Sequence, residues 1–214
     1  MVEKLDSYFT AHKLVRYRKG EIIMKPGEKP GYIGFIKSGF VRMYTLSESG
    51  QEVTMQFFKP VFYFTMIYAY CKMENRFYME AITPVEVYEA PVAETLEFFK
   101  KNYELARQVM DNVMKAFVDL VEQMGSMLSG NAYNRVAAMV LSLSNRTEKG
   151  DGNYDKIDFG ITHKLIASLT GLTRETVTLQ MLRLEKEKLI VNKSKKVEVV
   201  NKAELTKAAK MGNG

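Results

Sequence analysis

Arg174 and Glu175 stand side by side in the run Thr173-Arg174-Glu175-Thr176-Val177-Thr178-Leu179, and they offer the clearest chemistry in the chain. A guanidinium forks onto the O6 and N7 of guanine, and a carboxylate accepts from the amino group of cytosine. Thr178, one turn further on, can touch a thymine methyl or a phosphate. Upstream, Thr162 and His163 bring a hydroxyl and an imidazole to the same region, and His163 is placed to meet a phosphate. Downstream, Lys193, Lys195 and Lys196 add three ammonium groups, natural partners for phosphates. Phosphate contacts give affinity and salt dependence, while base-edge contacts give sequence choice. Together these residues describe a reader of double-stranded DNA. Competing chemistries lack their parts. Residues 15–92 contain no histidine, so a roll-shaped metal enzyme would have no ligand cluster there. Cys71 is the single cysteine, too few for an internal disulfide or for a cluster needing about four thiolates. His12 and His163 stand alone and read as surface or capping residues. Neither an enzyme, a metal site nor a cofactor is expected.

The elements that must hold these groups are two helices and a corner. Leu165, Ile166 and Leu169 recur at helical spacing behind Thr162, a hydroxyl placed to start a helix. Thr170-Gly171-Leu172 interrupts, and Gly171 can take the positive φ of a tight corner. Thr173 opens the second helix as its N-cap. Val177, Met181 and Leu184 form one apolar stripe, and Arg174, Glu175 and Thr178 lie off it near the N-terminal end. This is the helix-turn-helix pattern, whose second helix enters the major groove N-terminus first. After it, LIVNKSKKVEVVN alternates as a β-hairpin, a wing with the lysines near its turn. Gly130 and Asn131 supply a hinge and a cap. Tyr133 to Leu143 then opens this domain, with Val136, Met139, Val140 and Leu143 inward. EKGDGNYDKIDFG is a polar, turn-rich loop, and the tail AELTKAAKMGNG is expected to fray.

Charge follows the same division. Residues 1–130 hold 16 basic and 16 acidic side chains, and residues 131–214 hold 15 and 9. The net charge of +6 therefore lies wholly in the last part, as attraction to a polyanion requires. A length of 214 residues suffices for two modest domains, each with its own core. The start MVEKLDSYFT lacks an apolar run, and no uncharged stretch approaches the ~20 residues needed to span a bilayer. With one cysteine, this reads as a soluble cytoplasmic protein without membrane contact.

Before Gly130 the patterning changes. Leu5, Tyr8 and Phe9 mark a short amphipathic helix. From Val15, glycines at 20, 27, 31, 34, 39 and 50 separate short runs such as EIIMK, YIGFIK and FVRMYTL, the signature of antiparallel strands. Ser49-Gly50 is a hairpin turn, FYMEAIT and VEVYEAP read as a further strand pair, and residues 15–92 are assigned to a closed roll. Residues 94–101 form a short helix, and a long one runs from Tyr103 to about Ser129. Along it Ala106, Met110, Val113, Phe117, Leu120, Met124 and Met127 step by four and three, the seam of a two-stranded coiled coil. A wide apolar face is also what a core helix shows, but the strict period favours pairing. Met114, Val118, Val121 and Leu128 form a second line, expected to lie on the helix's own roll.

A resemblance organises these readings. TGLTRETV followed by LRLEKEKLI resembles the winged helix-turn-helix of the cyclic-AMP receptor/fumarate-nitrate regulator (CRP/FNR) family of bacterial transcription factors. GEIIMKPGEKPGYIGFIKSGFVRMY and LSESGQEVTMQFFKP resemble its sensory β-roll, and NAYNRVAAMVLSLS the helix entering its DNA-binding domain. The likeness covers most of the chain in the family's order. It implies an α+β fold with an N-terminal antiparallel β-roll like a cyclic-nucleotide-binding domain (1–102). A long dimerisation helix (103–130) and a C-terminal winged helix-turn-helix (131–214) follow. It also implies a homodimer on a roughly palindromic site, half-site centres ~34 Å apart, in contact with RNA polymerase.

Two departures bear on function. Family members that bind cyclic nucleotides use a Gly-Glu pair and a later Arg-Ser/Thr-Ala element, because a buried phosphodiester needs a paired cation. Here the corresponding segments read Val61-Phe62-Tyr63-Phe64-Thr65 and Asn75-Arg76-Phe77-Tyr78, with the arginine one place out of register. Cyclic AMP is therefore not expected to bind. The aromatic residues there form either a filled core or a pocket for a planar effector, with Tyr63, Phe64, Tyr68, Arg76 and Tyr78 as its lining. Cys71 as a redox-sensitive thiol and an effector-independent regulator are the other readings. The second departure is Leu179, where many members carry an arginine. A leucine can press on a thymine methyl but cannot fork onto guanine.

Overall fold

The computed structural model describes residues 2–129, 131–144, 155–157, 162–193 and 196–210. Its elements in order are α1 (Val2–Thr10), β1 (Lys13–Tyr17), β2 (Ile22–Met24), β3 (Tyr32–Ser38), β4 (Val41–Leu46), β5 (Glu52–Phe58) and β6 (Tyr63–Phe64). Then come α2 (Met66–Tyr70), β7 (Tyr78–Ala81), β8 (Val85–Pro91), α3 (Val92–Lys101), α4 (Tyr103–Ser129) and α5 (Ala132–Ser144). The remainder is β9 (Asp155–Ile157), α6 (His163–Thr170), α7 (Arg174–Lys186), β10 (Ile190–Lys193), β11 (Lys196–Val199) and α8 (Lys202–Lys210). Two compact units divide the chain, Met1–Gln51 with Met55–Phe117 and Glu52–Thr54 with Val118–Gly214. No helix among the described residues is long and apolar enough to cross a membrane.

In the first unit, two antiparallel four-stranded sheets, ordered β1-β8-β3-β6 and β2-β7-β4-β5, enclose one apolar interior. Strand alternation builds it: Ile36, Val41, Phe58, Phe64, Met79, Val85 and Val87 meet between the sheets. The other face of β3 and β8 carries Ile33, Phe35 and Ala90, which join Leu5 and Phe9 of α1 and Leu105 and Val109 of α4 in a second cluster. Gly34 is fixed by contact rather than by φ. A Cβ there would stand 2.2 Å from the Phe64 ring, so only glycine lets β6 close on β3. On β4 and β7 the register sets Arg42 opposite Glu80 and Tyr44 opposite Tyr78. The guanidinium Nε donates to the carboxylate at 2.8 Å, and the two rings stack at 5.0 Å. The hairpin between β4 and β5 closes at Ser47–Gln51, where Gly50 N donates to Ser47 O at 2.9 Å.

Three expectations are corrected. The strands at FYMEAIT and VEVYEAP do not pair with each other: β7 lies between β2 and β4, and β8 between β1 and β3. Between them Pro84 has no amide to continue a ladder, and the chain crosses from one sheet to the other. The second apolar line of α4 is not buried where it is described, and the side chain of Leu128 lies outside the described residues. Leu105 and Val109 in its first turns lie on the roll, while Met114, Val118 and Val121 are more than half exposed. The roll covers only the start of so long a helix. Finally, the tail expected to fray, 203–214, is helical as far as Lys210, and residues 211–214 lie outside the described residues. Asn201 Oδ1 accepts from Glu204 N at 3.1 Å and caps α8, whose Leu205 and Ala208 are buried. Asn201 followed three residues later by glutamate is a helix-start signature, and it lies just ahead of the tail.

The second unit packs α6, α7 and α8 against α5, whose Val136, Met139, Val140 and Leu143 are buried. A three-stranded sheet ordered β10-β11-β9 completes it. The segment read as a polar loop thus contributes one strand, β9, with Ile157 fully buried. Gly130, the expected hinge, lies outside the described residues.

Candidate nucleic-acid interface

Each helix of the motif starts on a threonine. Thr162 Oγ1 accepts from Leu165 N at 3.1 Å, and Thr173 Oγ1 from Thr176 N at 3.2 Å. Both hydroxyls satisfy free helix-start amides, worth about 1 kcal/mol each. Between them Gly171 ends α6 in the left-handed region, φ 62° and ψ 26°, with its amide on Ala167 O. Arg135 of α5 holds this corner from behind by donating to the Thr170 carbonyl. Sequence reading missed Arg135, because a cation on an amphipathic helix looks like solvated surface. Val177, Met181 and Leu184 bury α7 against the unit, so its opposite face is left to solvent. Arg174, Glu175 and Leu179 lie on the exposed side, with Leu182 beyond them. Glu175 in the first turn and Arg183 and Lys186 in the last complement the helix dipole.

His163 and Thr178 join the two helices. Thr178 Oγ1 donates to Arg174 O at 2.9 Å, and His163 Nδ1 lies 2.8 Å from Thr178 Oγ1. A hydroxyl has one proton, so His163 Nδ1 carries the hydrogen of the second contact. The Thr178 hydroxyl is thereby occupied inside the protein, and its methyl is left for outside contact. At the other end of α7, Tyr133 of α5 donates to Glu187, and Arg183 Nε donates to the same carboxylate at 2.9 Å. The Arg183 guanidinium also lies over the Tyr133 ring at 4.1 Å. The hydrogen bond from Tyr133 is the main cause holding the Glu187 carboxyl below its usual range. Burial, with Glu187 as acceptor, pushes Tyr133 up to about 12. Lys196 opens β11 and is exposed. Lys195 and the side chain of Lys193 lie outside the described residues.

Comparison with known proteins settles the family. A profile of the cyclic nucleotide-binding domain matches residues 14–102, and one of the Crp-like helix-turn-helix domain matches residues 134–208. The chain belongs to the CRP/FNR family of transcriptional regulators. It is a DNA-binding regulator and not an enzyme. A global nitrogen regulator of a Nostoc species is 24% identical over 185 residues, 86% of this chain and 83% of the relative. FixK2 of Bradyrhizobium japonicum shares the fold with a TM-score of 0.79 at 20% identity, covering 92% of this chain and 96% of that one. A CRP/FNR regulator of Thermus thermophilus gives a TM-score of 0.74 at 22% identity, covering 94% and 100%.

In this CRP/FNR regulator the five residues considered for an effector are brought together only in part: Tyr68 packs against the cluster that holds Phe64 and feels the charge of Arg76, while Tyr63 and Tyr78 have other partners. Tyr63 and Phe64, neighbours on β6, enter different clusters, Tyr63 with Phe9 and Phe35 and Phe64 with the roll interior. Tyr68 packs at the edge of that interior, Tyr78 stacks on Tyr44, and Arg76 is exposed. Cys71 is exposed behind the short helix α2. Along α4, Met110, Phe117 and Met124 of the expected seam are exposed, and Ala106, Val113 and Leu120 are half-buried. Met127's side chain lies outside the described residues.

Proposed function

We propose that the regulator acts as a homodimer, paired along α4, that sets two copies of α7 into successive major-groove segments of a roughly palindromic site. One observation carries this reading. Met110, Met114, Phe117, Val121 and Met124 step along α4 by four, three, four and three, and each is 49–60% exposed in the single chain. An apolar line of that length and period is what a second helix covers. It shares Met110, Phe117 and Met124 with the line read from sequence. Bound to its site, the dimer contacts RNA polymerase. Each α7 places Arg174 on a G·C pair, Glu175 on a cytosine amino group, and Thr162, His163, Thr173 and the wing lysines Lys193, Lys195 and Lys196 near phosphates.

The roll is proposed to work without cyclic AMP, since Arg76 is exposed and the glutamate of the nucleotide-binding pattern is replaced. The separate partners of Tyr63 and Tyr78 speak further against an aromatic effector held by the full set. Sedimentation equilibrium tests the dimer directly: the wild type should run as two chains, and Phe117→Glu, with a charge in the seam, as one. A wild type that stays monomeric at micromolar concentration would refute the reading. Titration calorimetry with cyclic AMP should give no heat, and micromolar binding would overturn that part of it.

A further inference from the structure

Two leucines stand outermost on α7. Leu179 is 64% exposed and Leu182 is 56%, against 38% for Val191 and Val200, the other exposed large hydrophobics described after residue 130. A single surface leucine means little, but two neighbours at i and i+3 make a ridge. They lie on the solvent side of the same helix that carries Arg174 and Glu175, opposite the stripe of Val177, Met181 and Leu184. A helix driven into the groove by its N-terminus takes such a ridge in with it. The rise from Leu179 to Leu182 is about 4.5 Å, little more than one base-pair step.

We infer that Leu179 and Leu182 form an apolar reading edge that selects thymine methyl groups on two neighbouring base pairs, inward from the pair met by Arg174. This rests on the docking of α7 proposed above. The chemistry is specific, because the thymine methyl is the one apolar group on the major-groove edges of the bases. Buried leucine carbon gains from meeting it, and it gains nothing from the polar edges of guanine, cytosine or adenine. The half-site therefore combines a G·C pair under Arg174 with adjacent A·T pairs whose thymines face the ridge.

Uracil differs from thymine only by the missing methyl, which gives a clean test. The preferred site is first selected from a random pool with the full-length protein, and each thymine is then replaced singly by uracil. Affinity for the wild type should fall about fourfold at each of the two contacted positions, the worth of one buried methyl. In Leu179→Ala and Leu182→Ala that loss should vanish, each at its own position. Leu179→Arg should shift the preference there from A·T to G·C. If uracil is tolerated everywhere while Arg174→Ala still relaxes the choice of guanine, the leucine edge is refuted and the docking stands. If Arg174→Ala also changes nothing, both fall. Thermal melts of the alanine variants matching the wild type would place any change in the interface rather than in folding.

Discussion

Arg174 is the residue on which base choice is proposed to turn, because it alone in the first turn of α7 has the fork that guanine accepts. Replacing it with alanine should cost about 1–3 kcal/mol per half-site and relax the preference at one position, as fluorescence anisotropy on matched and mutated duplexes would record. Lys196 is proposed as a different kind of contact. Lys196→Ala should weaken all sequences alike and lower the salt slope by about one. Tyr133 and Glu187 add a pH-dependent clamp on α7. Glu187's carboxyl titrates lower in the folded state than in the unfolded chain. Its contribution is therefore present above the ordinary carboxylate range, about 4.3, and is lost as the pH falls through the folded value. Tyr133 is raised to about 12, so its share is full below the unfolded value of about 10 and is lost as the pH climbs through 12. Tyr133→Phe should cost about 1 kcal/mol in urea denaturation at pH 7, with the penalty shrinking below about pH 4. A penalty unchanged down to pH 3 would contradict this account of the clamp.

At the scale of elements, the corner between α6 and α7 is the most constrained point. Gly171 sits at φ 62°, and a Cβ there would also come 3.2 Å from Arg135 Nη2. Gly171→Ala should destabilise the protein by about 1–2 kcal/mol in thermal or urea unfolding. Sequence made this corner legible because glycine, two capping threonines and the apolar stripe all point to one geometry, and local rules suffice there. The roll strands were legible for the same reason, from glycine punctuation and β-branched runs. Their partners were not: β7 and β8 join different sheets, a choice made by long-range packing on either side of Pro84. On α4 the period was visible, but the side of the helix covered by the roll was not. That depends on where Leu105 and Val109 meet the roll, and heptad spacing carries no information about it. Arg135 and Leu182 show the same limit at the interface. A cation and a leucine on amphipathic helices do not announce whether they face a carbonyl, a groove or water. Only the packed helix tells them apart.

Across the whole molecule, the excess charge and the reading helix belong to residues 131–214, whereas residues 1–130 balance to zero. A single winged motif with these contacts would bind DNA weakly and with little discrimination. Pairing doubles the number of base contacts and ties them to a fixed spacing, which is the main reason a regulator of this kind dimerises. In the proposed assembly, the exposed line on α4 is thus the feature on which sequence recognition depends. Its central test is the mass of the protein on DNA. The complex with a duplex bearing two inverted half-sites about one helical turn apart should contain twice the 24.5 kDa chain, and shifting that spacing by half a turn should abolish tight binding. A single 24.5 kDa chain bound with undiminished affinity to one half-site would contradict the account.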